Sequence, residues 1–232
     1  MDVSWQISSA AALIGDPTRA AMLWSLLDGE SRPASELAMV ANVSLQTASN
    51  HLKLLTEGDF VKVVAMGRNR FYSLSGRHVA AALESLAVAA HVAPGIAQRG
   101  APELVFARTC YDHLAGELGV AIWKALVKQR LIQEGGGECS LTNRGCTYLT
   151  ELGVDVSPQS KRRRFAYPCP DWSERVPHLG GMLGAALLDC LFAQRAVVRV
   201  KTSRAVRVTD SGRKFLSRAF AITLTGRGGI AG

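Results

Sequence analysis

The chain has 232 residues, 48% of them apolar, and a net charge of +8, which is enough apolar material for two modest cores. No apolar run reaches about 18 residues without a charge, which argues against a membrane-spanning helix, and MDVSWQISSAAALIG lacks the basic start of a secretion signal. Five scattered cysteines suit a reducing cytoplasm better than a disulfide framework. The positive charge is concentrated at one end: residues 1–100 are balanced, whereas residues 161–232 hold 14 Lys/Arg against 4 Asp/Glu.

Between Pro33 and Leu74 the chain reads PASELAMVANVSLQTASNHLKLLTEGDFVKVVAMGRNRFYSL. Leu37, Ala38 and Ala41 give a short helix, Asn42 tolerates the left-handed turn, and Ser44 is a good N-cap for a second helix. In that helix Ala48, Leu52 and Leu55 form a buried stripe. Gln46, Asn50 and Lys53 then face outward with Thr47 and Ser49 on the flanks, a short polar face suited to base edges in a major groove. His51 lies toward the buried side and reads as a structural histidine. After Gly58 the period changes: Phe60, Val61, Val63 and Val64 form one strand, Gly67 turns, and Phe71, Tyr72 and Leu74 return. The hairpin tip carries Arg68 and Arg70, placed for phosphate.

With GDPTRAAMLWSLLDG (residues 15–29), ASELA, VSLQTASNHLKLL and GRNRFYSL, the chain resembles the ArsR family of bacterial winged-helix repressors over roughly residues 5–92. The resemblance implies a homodimer joined through terminal helices and bound to an inverted repeat in double-stranded DNA. The family's metal sites do not carry over. The first motif helix reads Leu37, Ala38, Met39, Val40 without a thiol, and the helix from about Arg77 to His91 offers only His78, Glu84 and His91 at the wrong spacing.

Pro94-Gly95 and Ala101-Pro102 mark residues 93–103 as a linker. Beyond it an internal repeat governs the reading. HLAGELGVAIWKALVKQRLI from His113 aligns without gaps with HLGGMLGAALLDCLFAQRAV from His178, and LTNRGCTYL (141–149) matches VTDSGRKFL (208–216). Each copy reads as a long helix, a hairpin and a short helix begun by Thr-x-x-Gly, a truncated winged-helix-like unit. Neither copy could cover its own apolar face, so the two are expected to pack about a pseudo-twofold axis. Gly116 and Gly119, matched by Gly181 and Gly184, would admit close helix approach. The expected fold is therefore of the α+β class, mainly α with small β-hairpin wings: a winged helix-turn-helix over 1–92, and a duplicated domain over 104–222 with repeats at about 105–155 and 165–222. Residues 223–232 would be a flexible tail.

Ahead of each long helix stands a run rich in chemistry: Cys110, Asp112 and His113 in one, Cys169, Asp171 and His178 in the other. If the copies face each other, thiols and imidazoles converge on one pocket. That donor set suits zinc or another thiolate-binding metal, a redox pair of thiols, or an organic effector. The two aspartates are equally natural helix caps. Cys139, Cys146 and Cys190 read as packing residues. In the second copy Arg199, Lys201, Arg204 and Arg207 cluster on the hairpin and, with Lys161-Arg162-Arg163-Arg164, form a candidate auxiliary contact to flanking phosphates.

These features describe a cytoplasmic transcriptional regulator whose second domain senses a metal, oxidant or small molecule. An effector-free architectural DNA binder accounts for the basic end. A Cys110/His113 enzyme lacks any oxyanion or phosphate loop.

Overall fold

The computed structural model describes residues 2–66, 69–90, 102–157, 163–200, 203–225 and 229–230. It divides into two compact units, Met1–Leu83 and Glu84–Gly232.

The first unit opens with α1 (Val3–Ile14), capped by Asp2, and α2 (Pro17–Ser25), capped by the Asp16 carboxylate accepting from Arg19 N–H at 2.9 Å. No side chain of α1 is buried; Val3, Trp5 and Ile7 stand in solvent. A two-residue strand β1 (Arg32–Pro33) leads into α3 (Ala34–Val40) and α4 (Leu45–Glu57). Asn42 takes the left-handed turn at φ 53°, and Ser44 caps α4 by accepting from Thr47 N–H at 3.1 Å. The wing is β2 (Val61–Met66) against β3 (Asn69–Leu74), with β1 on the far side of β3 in an antiparallel sheet of order β1-β3-β2. Strand β1 escapes sequence reading because two residues show no alternation. Arg32 locks it by pairing with Asp28 and Glu36. Ala48, Leu52 and Leu55 are fully buried, and truncating such a leucine costs about 2–5 kcal/mol. Helix α5 (Arg77–Ala89) follows β3 and crosses the division between units, ahead of the expected boundary at residue 92. The expected linker falls outside the described residues up to 101.

The second unit runs through α6 (Pro102–Phe106), which begins inside the expected linker, and then twice through the order hairpin, long helix, hairpin, helix. The first pass is β4 (Arg108–Cys110), β5 (His113–Ala115), α7 (Gly116–Lys128), β6 (Ile132–Gly135), β7 (Glu138–Leu141) and α8 (Asn143–Glu151). The second is β8 (Tyr167–Cys169), β9 (His178–Gly180), α9 (Gly181–Ala193), β10 (Val197–Arg199), β11 (Val206–Val208) and α10 (Asp210–Phe220). Thr142 and Thr209 cap α8 and α10 through Gly145 and Gly212 N–H, each at 2.9 Å. Leu118, Ile122 and Leu126 of α7 share one core with Leu183, Leu187 and Leu191 of α9.

Three expectations need correction here. The α+β class holds, but a hairpin precedes as well as follows each long helix, because the Cys-to-His runs fold as strands instead of leading straight into the helix. The expected tail also contributes paired strands, β12 (Leu224–Thr225) and β13 (Gly229–Ile230). Gly119 and Gly184 serve a different contact from the helix-on-helix one expected. A Cβ on Gly119 would stand 2.6 Å from Leu114 O and 3.5 Å from His178 Cβ; on Gly184 it would stand 2.3 Å from Leu179 O and 3.1 Å from His113 Cβ. Each glycine thus makes room for its own preceding strand and for the histidine of the opposite hairpin.

Candidate functional site

On α4 the side chains that could meet DNA are exposed. Gln46, Ser49, Asn50 and Lys53 face solvent, Thr47 is half-buried, and Ser44 is exposed at the cap. Gln46 Nε2 lies 3.4 Å from Asn50 Oδ1, so the two amides share one edge of the helix. Arg70 of β3 is exposed beside them, and with Ser49, Asn50 and Lys53 it lines a concave surface of about 620 Å³ between α4 and the wing. Arg68 lies outside the described residues. His51 turns inward: its Nδ1 is 3.3 Å from Arg19 and 3.7 Å from Asp16.

In the second unit the two leading hairpins bring their chemistry together. Cys110 and His113 are cross-strand partners in β4–β5, and Cys169 and His178 are cross-strand partners in β8–β9. The first hairpin closes through Tyr111-Asp112, with Tyr111 at φ 62°; the second closes through the longer Pro170–Pro177 loop. Cys110, His113, Cys169 and His178 are all buried, and their donor atoms lie within 4.8 Å of one another. The imidazole centroids are 5.1 Å apart, and Nε2 of both rings has no hydrogen bond among the described residues.

The surrounding carboxylates differ. Asp171 is fully buried: Oδ1 accepts from Arg108 at 2.8 Å and from Ser173, and Oδ2 accepts from Gly116 N–H at 2.7 Å. The same Oδ2 lies 3.0 Å from His178 Nδ1. Asp171 therefore does cap a helix, but it is α7 of the other half. Arg108 is itself fully buried and stacks on Trp172 at 4.3 Å. Asp112 remains partly exposed, 3.2 Å from His113 Nδ1, and accepts from Arg163 at 2.8 Å.

Electrostatics follow from this packing. Burial alone would raise the Asp171 carboxyl, but His178 and Arg108 hold it far below the ordinary carboxylate range. Burial opposes charge on His113, yet Cys110 and Asp112 carry it up to about 9. Burial likewise opposes charge on His178, and Asp171 outweighs it to leave this imidazole raised. The Cys110 thiol is pushed well up by the adjacent Cys169, by burial and by the Glu84 carboxylate.

The donors fit a small tetrahedral ion. Around zinc, two sulfurs at about 2.3 Å and two nitrogens at about 2.0 Å place donors about 3.3–3.8 Å apart, so an inward shift of about an ångström by the side chains and the strands that carry them would close the shell. Carboxylates behind both imidazoles are the usual second layer of such a centre, fixing ring orientation through the far nitrogen.

The basic hairpin departs from expectation. Arg199 and Arg207 are exposed, and Lys201 lies outside the described residues. Arg204, expected on the charged surface, is 5% exposed and pairs at 2.5 Å with Glu84, 2% exposed. A carboxylate from a remote helix has taken it out of solvent. Of the 161–164 run, Arg163 is engaged by Asp112 and Gly181 O, and Arg164 bonds Gly137 O and stacks on Tyr167 at 4.3 Å. Cys139 and Cys190 are buried, as packing residues should be, whereas Cys146 is exposed. Sequence reasoning missed the anchoring roles of Arg108, Ser173 and Arg163 and the Glu84–Arg204 pair. Matching the similar sequence segments was no help there, since all five residues lie outside them.

A capped reading helix with an adjacent wing defines a winged-helix DNA-binding protein, and residues 14–64 match the family described as a helix-turn-helix domain. A relative from Bacillus subtilis (strain 168), named the uncharacterized HTH-type transcriptional regulator YdfF, is 40% identical over 214 residues, spanning 89% of this chain and 93% of the relative. On that likeness the chain belongs to the HTH-type transcriptional regulators, its winged helix being of the ArsR kind that its motifs resemble. Among solved structures, NolR from Sinorhizobium fredii is 24% identical over 36% of this chain and 83% of its own, with a TM-score of 0.34. The cadmium metal-sensor CMTR from Mycobacterium tuberculosis is 34% identical over 34% of this chain and 81% of its own, with a TM-score of 0.30.

Proposed function

We propose that this regulator is a homodimeric repressor whose C-terminal unit, two copies of one hairpin–helix–hairpin–helix unit about a pseudo-twofold axis, holds a metal ion of the zinc class as its effector. The observation carrying this reading is the fully buried Cys110–His113–Cys169–His178 cluster with both Nε2 atoms unpartnered. Buried polar atoms left without partners are rare and call for a missing group. Gln46 and Asn50 read base edges from α4, with Ser44, Thr47, Ser49 and Lys53 on its margins. Arg70 and Arg68 hold phosphate from the wing, and Arg199, Lys201 and Arg207 add an outer contact. The exposed apolar side chains of α1, Val3, Trp5 and Ile7, support a dimer, as does the ArsR resemblance. By the same resemblance, effector binding weakens operator binding.

A thiol pair as oxidant sensor is the weaker reading. The thiolate is the form that oxidises, and the Cys110 thiol is held strongly protonated by Cys169 and burial. A metal displaces that proton and uses all four donors. The test is elemental analysis of freshly purified protein, then operator binding before and after chelation. About one zinc-class ion per chain and a changed affinity on stripping are expected. Protein without metal that answers to peroxide would reverse the choice.

A further inference from the structure

The Glu84–Arg204 ion pair supplies neither a base contact nor a metal donor, though the Glu84 charge is felt at Cys110, and it is among the most enclosed charges in the second unit, with side chains 2% and 4% exposed. The backbone of Arg204 is tied to the strand that carries Cys110. Thr109 N–H donates to Arg204 O at 2.8 Å, Arg108 bridges Ala205, and Val206 N–H donates to Ala107 O at 2.9 Å. Thr109 immediately precedes Cys110, and the Arg108 side chain grips Asp171, which faces His178. At the other end, Glu84 sits on α5, the helix that continues out of wing strand β3 and crosses into the second unit at this residue.

Building on the metal reading above, we infer that Arg204 is a positioning residue that couples occupancy of the Cys110–His113–Cys169–His178 centre to α5. Closing four donors onto an ion draws β4 inward. The backbone bonds carry that shift to Arg204, and its guanidinium carries it to Glu84. A buried charge cannot part from its partner without being left unsolvated, so the pair moves as a unit. It acts as a lever rather than a cushion. Residues 77–83 of the same helix belong to the first unit, so the displacement is delivered to the chain segment that follows the wing.

The test uses the full chain, stripped by chelator and reloaded with Zn²⁺, and a fluorescent duplex selected from a random pool by the metal-free protein. The quantity read is the ratio of duplex Kd with and without zinc, about 5-fold to about 150-fold for an allosteric pair of ordinary strength. Glu84→Leu with Arg204→Met replaces the ion pair by apolar volume, an exchange that folds tend to tolerate. This double variant should keep one zinc per chain and metal-free duplex affinity within about two-fold of wild type, while its ratio falls to about one. Arg204→Lys, which preserves the pair, should restore most of the ratio. A purely structural pair would lower the melting temperature and leave the ratio intact, which overturns the coupling. Wild type that takes up zinc but shows no change in duplex affinity also overturns it, leaving the metal centre standing. Wild type that takes up no zinc overturns the centre and the coupling together.

Discussion

The polar side chains of α4 point into water, whereas those of hairpins β4–β5 and β8–β9 point at one another. Asn50 and Lys53 are exposed on a helix whose opposite stripe is packed, so their loss should leave the fold nearly untouched and remove only contacts to DNA. Asp171, Arg108 and His178 are enclosed by protein, so each is held by the others and chemistry there cannot be separated from stability. A surface reader is tuned one residue at a time. A buried centre answers as a network.

The largest break in that contrast should come from Asp171→Ala. It strands the Arg108 guanidinium and the Gly116 N–H without their acceptor, a loss of about 3–5 kcal/mol to be read from denaturant unfolding of the full chain. Asp112→Ala, at the equivalent turn, should cost under about 1 kcal/mol, since its Arg163 pair is partly open to water. A similar cost for both would mean that the two hairpins are supported alike.

Next in size, Cys110→Ser or Cys169→Ser should lower zinc affinity by at least about 100-fold, beyond the about 10–100-fold that an outer carboxylate contributes. Competition with a chromophoric chelator measures it. Operator binding by the metal-free protein should persist while its response to zinc disappears. A full response in the double Cys→Ser protein would make the thiols packing residues.

Asn50→Ala should weaken the specific duplex by about 1–3 kcal/mol with random duplex little changed, and should alter unfolding stability by no more than about 0.5 kcal/mol. Equal loss on both duplexes would move Asn50 from base reading to backbone contact. The smallest effect is expected for Arg70→Ala: uniform weakening on all sequences, and a salt dependence shallower by about one ion. A sequence-selective loss would instead put Arg70 on a base edge.

Local chemistry made much of this molecule legible from its residues. The stripe Ala48, Leu52, Leu55, the caps Ser44, Thr142 and Thr209, and the left-handed Asn42 depend on neighbours within a few positions, and each takes the conformation its residue type favours. Matching the two long helices also pointed to Cys110, His113, Cys169 and His178 as residues of one place. The tertiary structure alone decided which charges are solvated. Arg204 and Arg163 read as members of a basic surface, yet Glu84 and Asp112 claim them from 120 and 51 residues away. Asp171 reads as a helix cap and is one, but the helix is α7, 55 residues back in the chain, and the same carboxylate also holds Arg108. A buried charge is stable only where a distant partner offsets its desolvation, and that partner is supplied by how the chain folds back on itself rather than by the residues beside it.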